Sequence, residues 1–315
     1  MSSTIPPDQA SRSRRKLKRF LIAAIGLTGL WLLGSLIVAH HLTQRKGTRH
    51  EEPTPSVAWA EFEGLRLSTR DGHDLGAWFA EGTGQGPSVI LLHGNGGNRS
   101  QSLSRAELLA NEGCSVLLVT LRAHGDSSGN HNDIGYSARH DVVAAVESME
   151  RRRPGRPILI LGSSLGAAAA TFASGELGHR VSGYFLEAPY LDLKSAVRNR
   201  TREMLPIGLE WVAFQGLLTV APLVAPDLEK TSPLQAIGGV PQDVPITLIA
   251  GRHDRKATPE QVGQLFDRVR SHGNLVVFEN AGHLRYLQAD LELYRRTLLG
   301  FLRKVVETPT VRGSR

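Results

Sequence analysis

The chain has almost no cysteine: one residue, Cys114, in 315. An intramolecular disulfide is therefore excluded, and the thiol, at the head of an apolar run, reads as a small packing hydrophobe. Most of the chain also lacks an excess of either charge. The net charge of +7 comes from residues 1–50, which hold nine Lys and Arg against one acid, Asp8. The remainder carries 28 basic and 29 acidic residues. Composition gives that main body no footing on nucleic acid. No internal repeat is visible. The glycines at 94, 96 and 97 are not followed by the G-K-[ST] of a phosphate loop. Metal-ligand spacing is missing too: His131 and His140, near Asp133 and Asp141, read as a solvated face. No metal and no cofactor is expected.

One further absence is local. Between Arg19 and Arg45 there is no Asp, Glu, Lys or Arg. Phe20 to Ala39, "FLIAAIGLTGLWLLGSLIVA", is long enough to cross a bilayer as a helix. Six basic residues precede it within eight positions and three follow it. That bias predicts a single-pass anchor with its N-terminus cytoplasmic and everything after Leu42 extracytoplasmic. A cleaved signal peptide ending near Ala39 and a buried core helix are the alternatives. The apolar run is longer than a signal h-region. The expected layout is a basic, disordered tail (1–19), an anchor (20–42), a linker (43–62), a folded domain (63–307) and a short tail (308–315).

In the folded domain, Leu65 to Thr69 and Leu75 to Ala80 flank "RDGHD", a hairpin signal. Apolar strands then alternate with helical patterns. "PSVILLHG", "CSVLLVTL", "PILILGSS", "VSGYFLEAP", "VPITLIAG" and "NLVVFENA" read as strands. Ser100–Glu112, Ile134–Arg152, Thr258–Val269 and Leu287–Val306 read as helices. Such alternation predicts a mainly parallel sheet with helices on both faces. Tyr190 to Ser232 is too long for a simple crossover. It reads as helices that either close the core or cap a substrate site, with Leu205, Leu209, Trp211, Phe214 and Leu218 on one face.

The chemistry gathers where strands end. "ILILGSSLGAAAA" (Ile158–Ala170) places Gly162, Ser164 and Gly166 in G-x-S-x-G between a buried strand and a small-residue helix. There a serine sits on a strained turn, and the glycines let neighbouring backbone pass. The helix N-terminus behind it favours negative charge. Other strands end in His93-Gly94-Asn95-Gly96-Gly97-Asn98, in Arg122 to Gly129, in Gly251-Arg252-His253-Asp254 and in Ala281-Gly282-His283. A serine, an acid and a histidine thus follow one another in chain order.

These motifs resemble the α/β-hydrolase superfamily over about Glu63 to Val306. "HGNGGN" and "LRAHGDSSG" are similar to loops of small membrane-associated hydrolases and of the serine aminopeptidase-like group. "GSSLG" resembles the nucleophile elbow, "GRHDRKATPE" the acid loop and "AGH" the histidine loop. Lys256 and Ala257 stand where an apolar residue is common. The resemblance implies Ser164 as nucleophile, His283 as base and Asp254 as the acid that orients it. It implies an oxyanion hole from the backbone N–H groups of Asn95 and Leu165. Ser163, with glycines at neither −2 nor +2, is the rival nucleophile. His93, His124 and His253 are rival bases, the first two reading as loop fasteners. Asp126 and Glu187 are rival acids, Glu187 being the runner-up. The implied function is a membrane-anchored serine hydrolase acting on an ester or similar acyl substrate, small or lipid-like, with Trp211 and Phe214 as substrate contacts. An acyltransferase, an aminopeptidase or a non-catalytic binding member of the fold are the other possibilities.

Overall fold

Ser88–Leu92, Ser115–Val119, Ile158–Ser163, Gly183–Glu187 and Ile246–Gly251 are buried at every position. Strands covered on both faces read as continuous apolar runs, as these do. The computed structural model describes residues 7–307 except 85, 226, 228 and 229; the expected tail 308–315 lies outside them, as do residues 1–6 of the basic tail. The strands are β1 (Glu63–Ser68), β2 (Asp74–Ala80), β3 (Ser88–Leu92), β4 (Ser115–Val119), β5 (Ile158–Ser163), β6 (Gly183–Glu187), β7 (Ile246–Gly251) and β8 (Gly273–Phe278). They form one eight-stranded sheet in the order β1-β2-β4-β3-β5-β6-β7-β8. β1 and β2 form the expected hairpin, β2 runs antiparallel to β4, and every later pairing is parallel. The C-terminal ends of β3, β5, β6 and β7 therefore lie along one edge.

The helices are α1 (Pro7–Leu42), α2 (Leu103–Asn111), α3 (Arg139–Arg152), α4 (Leu165–Leu177), α5 (Leu193–Met204), α6 (Leu209–Val224), α7 (Pro233–Ala236), α8 (Pro259–Val269), α9 (Tyr286–Ala289) and α10 (Leu291–Glu307). α2 and α10 meet over one face of the sheet, where Arg105 lies against the Tyr294 ring. α3, α4, α7 and α8 form a connected layer on the other. Two predicted helices are shorter than the sequence suggests. α3 starts at Arg139, not Ile134, because Ile134 and Gly135 turn with φ of 61° and 107°, outside the helical region. The last predicted helix is broken at Asp290, whose carboxylate accepts from the Leu293 N–H at 2.9 Å and caps α10.

At the N-terminus the helix is longer than expected. It begins at Pro7 and includes most of the segment read as a disordered tail. Proline suits a first helical position, and Lys, Arg, Gln and Ala are good helix formers. Its stretch Arg14–Leu42 is long and apolar enough to cross a membrane by length and composition. The segment read as a linker is strapped to the domain. Arg45 donates from its side chain to the carbonyls of Gly125, Ser127 and Gly129. Its own N–H bonds Asn130 O at 2.7 Å, and Asn132 N–H bonds Thr43 O at 2.7 Å. Glu52, almost fully buried, accepts from Thr120 and pairs with Arg99.

Candidate active site

β5 ends at Ser163 and α4 starts at Leu165, so one residue makes the corner. That residue, Ser164, has φ 50° and ψ −105°, a conformation a non-glycine residue adopts only when its surroundings enforce it. Two backbone bonds do so: Ser164 N–H donates to Glu187 O at 2.8 Å, and Gly166 N–H to His93 O at 3.1 Å. The flanking glycines are required sterically. A Cβ on Gly162 would lie 2.7 Å from Ala167 N, and one on Gly166 2.5 Å from Leu92 O.

The loops after β7 and β8 meet this corner. His283 Nε2 lies 3.1 Å from Ser164 Oγ, and its Nδ1 lies 2.7 Å from Asp254 Oδ2. With Nδ1 protonated, Nε2 is free to accept the serine proton. Asp254 is buried, and its second oxygen accepts from the N–H groups of Lys256 and Ala257 at 2.8 and 3.0 Å. Those two positions hold the acid through their backbone, so their departure from the family pattern leaves the loop intact. A hydroxyl with a base in reach, and a third group orienting that base, can act as a nucleophile.

Asn95 and Leu165 both line the cavity beside Ser164. Three contacts shape the Asn95 loop. Asn132 Nδ2 donates to Asn95 Oδ1 at 2.9 Å, Gly96 N–H donates to His124 Nε2 at 3.1 Å, and Leu121 N–H donates to His93 Nε2 at 3.0 Å. His93 and His124 are thus tied to backbone and stay neutral. Burial, then the neighbouring His124, pushes His93 down to about 3. His253 faces a second, more open depression, which also borders His283.

The other rivals are occupied elsewhere. Ser163 Oγ donates to Glu187 Oε2 at 2.7 Å. Glu187 is fully buried, pairs with Arg105 at 2.7 Å and accepts from Tyr294. Asp126 is bidentate to Arg99 at 2.7 and 2.8 Å. The Arg105–Glu187–Tyr294–Ser163 network under the elbow was missed in the sequence. Its members come from α2, β6, α10 and β5, and no local pattern connects them.

A cavity of about 680 Å³ opens beside Ser164 and His283. Cap helices α5 and α6 and the turn between them wall it through Val197, Leu205, Leu209, Val212 and Leu217. Trp211 and Phe214, expected as substrate contacts, do not line it. Trp211 is 54% exposed, and Phe214 is 8% exposed with Arg198 stacked on its ring. The reason is that α6 is apolar on every side, so periodicity alone selects no face. Three cations, Lys46, Arg200 and Lys256, and one acid, Asp133, border the cavity. Partial burial, then Arg200 and Lys256, lowers the pKa of Lys46. Among the described residues no group of three His, Cys, Asp or Glu side chains is arranged to hold a metal ion.

Residues 89–296, more than half of the chain, match the profile of the alpha/beta hydrolase family. The chain belongs to that family. This hydrolase is 25% identical to an uncharacterized membrane protein of Saccharomyces cerevisiae, over 57% of the chain and 65% of the yeast protein. It is 27% identical to an uncharacterized protein of Mycobacterium tuberculosis, over 83% and 85%. Its fold is similar to that of a Pyrococcus furiosus esterase, with a TM-score of 0.66, 24% identity, and 82% of this chain and 99% of the esterase covered. An acylaminoacyl peptidase of Pyrococcus horikoshii shares the fold at a TM-score of 0.61 and 16% identity, over 81% of this chain and 43% of the peptidase.

Proposed function

We propose that this hydrolase is a membrane-anchored serine esterase that cleaves a carboxylic ester, or a similar acyl substrate, through an acyl-enzyme. The observation that carries this is the unbroken hydrogen-bonded line from Ser164 Oγ through His283 to Asp254 at the mouth of an apolar cavity. Ser164 Oγ attacks the acyl carbon while His283 Nε2 takes the hydroxyl proton. Asp254 holds the imidazole tautomer and stabilises the imidazolium. The oxyanion lies against the N–H groups of Asn95 and Leu165, each worth about 3 kcal/mol in the transition state. His283 then gives its proton to the departing alkoxide, and the alcohol leaves. Water attacks the acyl-serine with His283 again as base, releasing the acid and restoring Ser164.

The apolar cavity suits an acyl chain, because each buried CH₂ contributes about 0.8 kcal/mol. Medium or long acyl esters are therefore the favoured substrates over acetyl esters. The apolar helix Arg14–Leu42 serves as the anchor.

The test uses the purified full-length chain. A fluorophosphonate should label Ser164 and stop hydrolysis of 4-nitrophenyl esters. Ser164→Ala should lose labelling and at least about 10⁴-fold in kcat with its thermal unfolding unchanged. Normal hydrolysis by that variant would refute the assignment.

A further inference from the structure

The membrane helix is not remote from the serine. Leu30, Trp31, Gly34, Val38 and Leu42 of α1 line the same cavity as Ser164 and His283. The adjoining wall is α6, and the two helices are in contact. Trp31 Nε1–H donates to Val212 O at 3.3 Å, and a Cβ on Gly216 would overlap Ser35 Oγ and Trp31. Small residues at a crossing let two backbones approach closely, as they do between helices in lipid.

This contact fixes a depth. Trp31 precedes Leu42, where α1 ends, by about 16 Å of helix rise. That is about half of a ~30 Å hydrocarbon core. If α1 spans a bilayer, α6 lies beside its last half and shares that leaflet. The side chains of α6 agree. Its single charge, Glu210, is paired with Arg198 at 2.7 Å, and paired charges are the form tolerated in lipid. Ile207, between α5 and α6, is 99% exposed, with Met204 at 73% and Leu223 at 74%. Exposed apolar side chains at both ends of α6 mark a contact surface, and α1, which packs against α6, exposes Leu27, Leu30, Leu33 and Ile37 as well.

We infer that α1 is a wall of the acyl-binding site, and that the acyl chain reaches Ser164 directly from the lipid leaflet through the opening beside the α1–α6 crossing, where Leu30 and Leu209 line the cavity and are exposed. This rests on the proposed esterase chemistry and adds to it the route and the physical state of the substrate. Position is enforced by the strap after α1. Arg45 clamps the loop carrying Gly125, Ser127 and Gly129, and Thr43 O holds Asn132, whose side chain bonds Asn95. The helix therefore cannot drift from the serine without releasing the loop that bears Asn95.

The experiment uses the full-length chain in dioleoylphosphatidylcholine vesicles and a hexadecyl fluorophosphonate carrying a terminal diazirine. The probe bonds to Ser164 Oγ with loss of fluoride, and irradiation inserts the chain end into whatever lies beside it. Because no Lys or Arg stands between Arg19 and Arg45, trypsin releases residues 20–45 as one peptide. Cross-links in that peptide and in α6 are expected. Labelled protein with cross-links confined to other peptides, or with none, would overturn the inference. No labelling of Ser164 would instead overturn the esterase assignment on which it rests. A second measurement compares palmitoyl and acetyl 4-nitrophenyl esters in the same vesicles. Val38→Trp, which fills the cavity, should lower the palmitoyl-to-acetyl ratio of kcat/KM at least tenfold. Ile37→Trp, whose side chain faces away from the cavity, should leave activity and ratio unchanged. An unchanged ratio in Val38→Trp would count against α1 as a wall.

Discussion

At the scale of single residues, two buried carboxylates compete for the role of third member, and their surroundings separate them. Asp254 gives one oxygen to His283 and the other to two backbone N–H groups. Glu187 spends both oxygens on Arg105, Ser163 and Tyr294. Asp254→Asn should therefore lower kcat by about 10⁴-fold, because the wrong histidine tautomer is held. Glu187→Gln leaves Arg105 buried without its charge partner, which costs about 3 kcal/mol or more. It should lower the unfolding temperature while the folded fraction keeps its kcat within a few fold. The reverse pattern, read from kcat and thermal unfolding together, would move the acid to Glu187. His93 supplies a pH dependence. Its folded-state pKa is depressed to about 3 by burial, so between that value and an ordinary 6.5 the unfolded state binds the extra proton. Stability is full above the unfolded pKa and is lost as pH falls, by about 2 kcal/mol at pH 5. Thermal midpoints in detergent should drop from pH 7 to pH 5, and less so in His93→Asn.

At the scale of elements, α4 and α6 represent two kinds of legibility. The start of α4 follows from local chemistry: a buried strand, two glycines that no larger residue can replace, and a small-residue helix. α6 has no such marker. Apart from Glu210, Gln215 and Thr219 its residues are apolar, and the faces against α1, against the cavity and toward the outside are sorted only by packing. The α1–α6 crossing is directly testable. Ser35 Oγ occupies the space a Gly216 side chain would take, so cysteines at both positions are within reach of a disulfide. In Ser35→Cys/Gly216→Cys with Cys114→Ser, mild oxidation should join the tryptic peptides 20–45 and 203–230. Mass spectrometry that finds these peptides separate after oxidation would show that α6 packs elsewhere.

At the scale of the whole molecule, charge around the apolar helix sets the expected orientation. Six basic residues precede Phe20. Of the three that follow the apolar run, Arg45 and Arg49 donate to loop carbonyls of the hydrolase domain, so they serve the fold and are not explained by the charge bias alone. A reporter fused after Arg315 should be active only on the extracytoplasmic side, and the protein should stay with membranes after an alkaline carbonate wash. Reporter activity in the cytoplasm would invert the topology. A soluble product beginning near His40 would show cleavage of the anchor.

Runs such as "VILLH" and "ILILG" declared buried parallel strands because both faces of each strand are covered, and the order of loops after them placed Ser164, Asp254 and His283 on one sheet edge. This much was readable because it depends on local patterns and on a topology that parallel crossovers constrain. The structure alone decided four things. It gave Glu187 to Arg105 and left Asp254 to His283, because the deciding contacts join residues 82 and 29 positions apart. It turned the supposed linker into a strap, because Arg45 finds its carbonyl partners 80 to 84 positions away. It put Leu209, Val212 and Leu217 on the cavity wall and left Trp211 and Phe214 off it, because a helix with no continuous polar face carries no sign of which side it will bury. It brought the apolar N-terminal helix to the mouth of the site, because helix-on-helix packing depends on small residues meeting at Ser35 and Gly216, a coincidence in space that no spacing along the chain records.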